Sequence, residues 1–256
     1  MLQHYGKGDF KMKLTIIGYW GGYPAQDKAS STYVLEKNNF ILLIDCGSGG
    51  LAKFQKYKSI TDIDAVLLSH YHADHIADVG VLQHAILVQS YLTGNERIIP
   101  IYGHDENENE FVKLNHDFTE AVAYDPNNVL KLGPFFIRFL KTNHPVPCYG
   151  MRITDGTSTI IYTADSAYQD EWIKFSQNAD LLLADCNFYA HQDGSEAGHM
   201  TSKEVATIAK NANVSEVILT HLPHFGNHQQ LIRETKEIYN GSVNLAYEGY
   251  VWQKSH

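Results

Sequence analysis

Ser69-His70-Tyr71-His72-Ala73-Asp74-His75 brings three histidines and one aspartate within six residues. Before it runs Ile63-Asp64-Ala65-Val66-Leu67-Leu68, a short apolar run that predicts a buried strand. After it, Ile76, Val79 and Leu82 recur three apart, which predicts a helix over 76–82. Four side chains with metal-ligating chemistry therefore sit on a strand-to-helix turn. Imidazole and carboxylate are the usual ligands of zinc and of harder divalent metals. The alternative is a polar turn with surface histidines; the chain holds 14, so a single His-x-His pair carries little weight. The full H-x-H-x-D-H spacing is the stronger signal. With further ligands from elsewhere it exceeds one closed site, and two metals sharing a cleft would accommodate it.

The same pattern recurs along the chain. A strand over 40–44 delivers Asp45-Cys46-Gly47, and one over 135–140 leads to His144. Strands over 159–163, 180–184 and 214–220 lead to Asp165, Asp185-Cys186-Asn187 and His221. Asp45 either caps its turn or accepts a hydrogen bond from a ligand imidazole and fixes its tautomer. Further strands are predicted over 13–18, 31–35 and 98–102. Helices are predicted over 166–178 and 227–239, and from the capping box Thr201-Ser202-Lys203-Glu204 through Lys210. Some strands are joined directly and some by helices, so the expected class is α/β, with two mixed sheets covered by helices. Ligand groups gathered along one edge would then meet on loops held by a rigid scaffold. Gly21 and Gly22 make either a tight turn or a substrate-facing loop; the order of a dinucleotide-binding fingerprint is absent. His84, His104 and His116 have no ligand-like companion and read as surface or core histidines. The acidic run at 105–110 reads as a solvated loop or helix face.

With 256 residues, 44% of them hydrophobic, the chain suits a polar N-terminal segment (1–11) followed by a single domain (12–256). Its 29 acidic and 20 basic residues give a net charge of −9, which argues against a broad nucleic-acid surface. Cys46, Cys148 and Cys186 are odd in number and far apart, so a reduced, cytoplasmic setting is expected rather than a disulfide framework. No apolar run of about 18 residues predicts a membrane span.

Five motifs in order, Asp45-Cys46-Gly47, the 69–75 stretch, His144, Asp165 and His221, resemble the metallo-β-lactamase superfamily, and within it the group related to ribonuclease Z. The resemblance covers about residues 13–250. It implies a four-layer αββα sandwich. It also implies two divalent metal ions per chain, with zinc expected first and manganese or iron as alternatives. His70, His72 and His144 would hold one metal, Asp74, His75 and His221 the other, and Asp165 would bridge them. Two such ions, about 3.5 to 4 Å apart, can share a hydroxide that serves as nucleophile. Gly198-His199-Met200-Thr201-Ser202 is similar to a G-H-S-T segment of that group, and Ala184-Asp185-Cys186-Asn187 stands where its H-E-A-T segment falls. The resemblance thus makes His199 a candidate proton donor and Asp185 its orienting carboxylate, alongside Asp74; the alternative is that His199 and Thr201 only organise a helix start.

The departures bear on substrate. His144 and Asp165 are 21 positions apart, which leaves no room for the tRNA-gripping arm that ribonuclease Z carries between these motifs. The loop Pro24-Ala25-Gln26-Asp27-Lys28 lacks the P-x-K-x-R-N pattern, and His221-Leu222-Pro223-His224 lacks the F-S-x-R-Y that follows the last histidine there. The expected function is therefore a phosphodiesterase acting on small or cyclic phosphodiesters or short RNA, with full-length tRNA disfavoured. A carbonyl-centred ester, thioester, lactone or lactam hydrolase is the second enzymatic reading, and a non-catalytic metal-binding module the alternative of another class. Relatives of this kind commonly dimerise, so a homodimer is the expected partner state.

Overall fold

The computed structural model describes residues 11–254, so the predicted N-terminal segment 1–11 lies almost wholly outside the described residues. The first sheet takes up β1 (Lys13–Gly18), β2 (Thr32–Lys37), β3 (Phe40–Ile44), β4 (Ala65–Leu67), β5 (Ile99–Gly103) and β6 (Thr119–Ala123). The second takes up β7 (Leu130–Leu132), β8 (Phe135–Lys141), β9 (Tyr149–Thr154), β10 (Thr159–Tyr162), β11 (Leu181–Asp185), β12 (Glu216–Thr220) and β13 (Ser242–Leu245). The last strand, β14 (Val251–Gln253), returns to pair antiparallel with β1, giving the orders β14-β1-β2-β3-β4-β5-β6 and β13-β12-β11-β10-β9-β8-β7. Each sheet has seven strands and mixes parallel with antiparallel pairs, so the two mixed sheets expected from the strand connections are present.

Strand chemistry explains the layering. Along β2 to β4, Tyr33, Leu35, Leu42, Ile44 and Leu67 join the core between the sheets, while Val34, Ile41, Leu43 and Val66 join a second core. That second core lies under the helices α1 (Gly50–Phe54), α2 (Ala73–Ile76) and α3 (Val79–Thr93) and includes Leu51, Phe54, Leu82 and Ile86. Strands buried on both faces read as unbroken apolar runs, which is why β3 and β4 were legible. After α4 (Glu108–Phe111) and α5 (Glu171–Phe175), α6 (Ser202–Asn211) and α7 (His228–Lys236) cover the second sheet through Val205, Ala206, Ala209 and Leu231.

Two predicted helices differ. The helix expected over 76–82 is split between α2 and α3 at Asp78, whose carboxylate accepts the Leu51 N–H at 3.0 Å. The helix expected over 166–178 contracts to five residues. Its first residues serve the loops instead: Ser166 N–H donates to Asp185, and Ala167 bridges to Asn143. The capping box at Thr201 forms as the sequence indicates, and Asn227 caps the last helix by accepting the Gln229 N–H. The short hairpin of β9 and β10 fills the interval between His144 and Asp165.

Candidate metal centre

Asp45, Asp185 and the seven candidate ligands lie at or just after strand ends, while His199 comes from the loop between β11 (Leu181–Asp185) and α6 (Ser202–Asn211). Asp45 follows β3, the 69–75 stretch follows β4, and His144, Asp165 and His221 follow β8, β10 and β12, with Asp185 closing β11. Asp45, Ala164 and His221 carry φ of 53°, 51° and 51°. Non-glycine residues rarely adopt this left-handed region, and here the sharp turns re-aim side chains just where strands stop.

Two donor sets match the ligands that the resemblance implies, with a third grouping of Asp165, Asp185, His199 and His221 beside them. In the first, His72 Nδ1 lies 3.2 Å from His70 Nε2 and 3.1 Å from His144 Nε2, and His70 Nε2 lies 3.5 Å from Asp165 Oδ2. In the second, His75 Nε2 is 3.2 Å from Asp165 Oδ1, and His221 Nε2 is 3.0 Å from Asp74 Oδ2 and 3.3 Å from Asp165 Oδ2. Within each set the donor atoms lie inside 4.8 Å of one another, and Asp165 belongs to both. Zinc–nitrogen bonds of about 2.0–2.1 Å in a tetrahedron imply donor–donor edges of roughly 3.3 Å, close to these spacings. His75 Nε2 and Asp165 Oδ1 are buried without a hydrogen-bond partner. Buried polar atoms are normally satisfied, so nitrogen and carboxylate donors left open towards one point fit divalent cations.

The outward-facing atoms hold the rings. Asp45, fully buried, takes the Ser69 N–H at 2.8 Å, the Ser69 hydroxyl at 2.9 Å, the Tyr162 hydroxyl at 2.7 Å and His75 Nδ1 at 2.8 Å. Its bond to Nδ1–H turns Nε2 of His75 inward. His144 Nδ1 donates to the Gly198 carbonyl at 3.0 Å, and Ser69 Oγ meets His70 Nδ1 at 3.0 Å. His199 Nδ1 donates to Asp185 Oδ2 at 2.8 Å, and its ring stacks on His221 at 4.8 Å. Asp185 Oδ1 reaches 3.5 Å from His221 Nδ1, so one carboxylate lies between the candidate proton donor and a candidate ligand.

Electrostatics divide the sets. Burial, reinforced by neighbouring imidazoles, holds His70, His72 and His144 below the usual histidine range. Burial also opposes charge on His75 and His221, but carboxylates outweigh it: Asp165 and Asp45 raise His75, while Asp165, Asp185 and Asp74 raise His221 to about 10. Asp165 is buried yet held well below the carboxylate range by His221, His75 and His70.

Several contributors were not anticipated. Tyr162 and Ser69 hold Asp45, Asn187 Nδ2 donates to the His221 carbonyl at 2.8 Å, and Gly22 N–H donates to Asp74 Oδ2 at 2.7 Å. Asn187 follows the quoted Asp185-Cys186 pair, the one local signal that pointed to it. Gly22 shows that the paired-glycine loop abuts the donor cluster. His84 and His116 are exposed, and His104 is buried against Tyr71, as surface and core positions. A cavity of about 160 Å³ beside His72 is lined by Tyr71, His104, Asn107 and Pro147 among others.

Fold and donor set define a metallo-hydrolase of the β-lactamase superfamily. The model of the beta-lactamase superfamily domain matches residues 41–222, and the chain belongs to that family. It is 54% identical over 243 residues to the probable metallo-hydrolase YhfI of Bacillus subtilis (strain 168), covering 94% of this chain and all of the relative. The crystal structure of that metallo-β-lactamase fold protein superposes with a TM-score of 0.95 at 52% identity, over 96% of this chain and 100% of the other. The ribonuclease Z-like group is represented by the short form of human tRNase Z, at TM-score 0.76 and 22% identity over 94% and 98% of the two chains. A diphosphatase from the PhnP family reaches 0.74 at 19% identity over 96% and 98%. Among the described residues no helix is long and apolar enough to cross a membrane.

Proposed function

We propose that this metallo-hydrolase is a phosphodiesterase acting on small or cyclic phosphodiesters or short RNA. His70, His72 and His144 would hold one dication, zinc in the first instance, and Asp74, His75 and His221 a second, with Asp165 shared. Bound dications supply positive charge for a phosphoryl oxygen and lower the pKa of water. The observation that carries the reading is the His199–Asp185 pair. Asp185 takes the Nδ1 proton at 2.8 Å, which leaves Nε2 as the group that meets substrate. A positioned imidazole of this kind can deliver a proton to a leaving alkoxide, the demand that phosphodiester cleavage makes. Asp74, held by Gly22 and His221, supplies the second donor set with a carboxylate of its own beside Asp165. The short β9–β10 hairpin supports small substrates over full-length tRNA.

Three buried free thiols accord with a cytoplasmic setting. A homodimer across α3 is the expected assembly. This helix carries no Asp, Glu, Lys or Arg and exposes Val81, Val88, Tyr91 and Leu92, an apolar face on which the same helix of a second copy would pack with no charged group of either helix in between.

The test is hydrolysis of bis(p-nitrophenyl) phosphate by protein stripped of metal and then titrated with zinc or manganese. Turnover that grows to about two metals per chain and is absent in Asp165→Ala supports the reading. Stoichiometric metal binding without turnover, alongside hydrolysis of esters or lactones, would replace it with carbonyl-centred chemistry.

A further inference from the structure

The loop after β1 lies flush against the donor cluster. A Cβ on Gly21 would approach Asn187 Nδ2 at 2.5 Å and His221 Nδ1 at 2.6 Å, so only glycine allows this contact. The next N–H, of Gly22, holds Asp74. One residue further, Tyr23 is 61% exposed, yet its ring is stacked on a neighbour. It lies parallel to His224, with centroids 3.7 Å apart and planes within 3°, and His224 in turn stacks on Trp20 at 4.8 Å and 26°. His224 Nε2 donates to the Tyr23 carbonyl at 2.8 Å, tying the segment after His221 to the segment before Tyr23. Trp20 is itself packed against the main core. Three rings therefore form a pile anchored in the core, ending in an exposed phenol one residue from the N–H that holds Asp74.

An exposed tyrosine ordinarily keeps rotamer freedom that binding would have to remove. Here the ring already lies stacked on His224, whose Nε2 is held by the Tyr23 carbonyl, so part of that ordering precedes binding. The pile contributes little to the core through its outermost ring, but it presents a rigid π surface at the margin of the site. We propose that Trp20, His224 and Tyr23 form a stacking platform that selects phosphodiesters bearing a planar heterocycle of nucleobase type. This rests on the phosphodiesterase reading and narrows it. A platform made of ring faces prefers a base over no base while discriminating weakly between bases, since every base offers a π face.

The experiment compares two diesters with the same leaving group, thymidine 5′-(p-nitrophenyl phosphate) and methyl p-nitrophenyl phosphate, in the metal-loaded wild type, Tyr23→Ala and Tyr23→Phe. Tyr23→Ala is expected to lower kcat/KM for the thymidine ester by roughly 5- to 100-fold, the range of one base–aromatic stack, chiefly through KM. The methyl ester should stay within about twofold, and Tyr23→Phe should behave as wild type on both. Equal loss on both esters, or none on the thymidine ester, overturns the platform. If the wild type hydrolyses neither diester, the phosphodiesterase reading fails, and calorimetric binding of thymidine 5′-monophosphate against methyl phosphate decides the platform separately. A nucleotide preference that Tyr23→Ala removes supports it; equal affinities, or a preference that survives Tyr23→Ala, rejects it. Metal content and thermal midpoint of each variant, expected unchanged, separate a local effect from misfolding.

Discussion

At the far end of the sandwich, where β2 stops and β9 turns into β10, Lys37 and Asp155 are both almost fully buried, 2.8 Å apart. The other oxygen of Asp155 takes the Thr157 N–H and hydroxyl and the Ser158 N–H. Nearby Glu36 is shared by Lys13 and Lys58, Asp64 meets Arg97, and Asp180 meets Lys254. A cavity of about 550 Å³ at this end is lined by several of these charges, already neutralised by one another. At the opposite end Asp165 Oδ1, Asp185 Oδ1 and His75 Nε2 are buried without hydrogen-bond partners, and the balancing groups are histidines that also serve as donors. Both ends bury carboxylates, but only one completes them with lysines and backbone N–H groups. The donors at the open end are the ones that would suit a cation.

The sharpest way to break this contrast is Asp165→Ala, which removes the oxygen pair shared by both donor sets. Elemental analysis should show loss of bound metal, and turnover should fall below detection; full activity with normal metal content would sink the assignment. Metal added to stripped wild-type protein should also raise its thermal midpoint, because a ligand bound only by the folded state stabilises it, and this shift should be absent in the same variant. His199→Ala should lower kcat by roughly 10²- to 10⁴-fold, the range of a lost general acid, with metal content intact.

The far end should answer differently. Asp155→Asn leaves Lys37 buried without its countercharge and should cost about 3 kcal/mol in denaturant unfolding, while metal content and kcat stay unchanged. Burial pushes the Asp155 carboxyl up, but Lys37 and the Ser158 and Thr157 donors outweigh it and hold it at about 2. A depressed carboxyl contributes fully above the unfolded value of about 4 and loses that contribution as the pH falls towards 2. Wild type and variant should therefore converge in stability across that window; a constant gap would mean that the ion pair is not the cause. The smallest effect is expected from Asp45→Asn, which keeps the shape but weakens the acceptor behind His75. Metal affinity should drop by about 10- to 100-fold, read by competition with a chelator.

The site end was the more legible of the two. H-x-H-x-D-H is a local spacing, and each further motif follows an apolar run whose burial on both faces makes it conspicuous, as in β3, β4 and β11. Strands with weaker patterns escaped: β6 and β7 are short and partly exposed, and β14 is three residues with only Trp252 buried. Helical periodicity overstated the 166–178 helix because the backbone groups there bond across loops instead of along a helix. Lys37 and Asp155 gave no signal, since each looks like an ordinary turn charge until the sheets are stacked.

The sequence by itself determined the family, the two-sheet class and the residue types gathered at strand ends, because these depend on spacings of a few residues. Tertiary structure alone decided which atoms face one another. Tyr162 meets Asp45 across 117 positions, His221 meets Asp74 across 147, and Gly22 meets Asp74 across 52. No local periodicity encodes such distances. They are fixed by packing one seven-stranded sheet on the other, and that packing also leaves Asp165 Oδ1 open while closing every oxygen of Asp155.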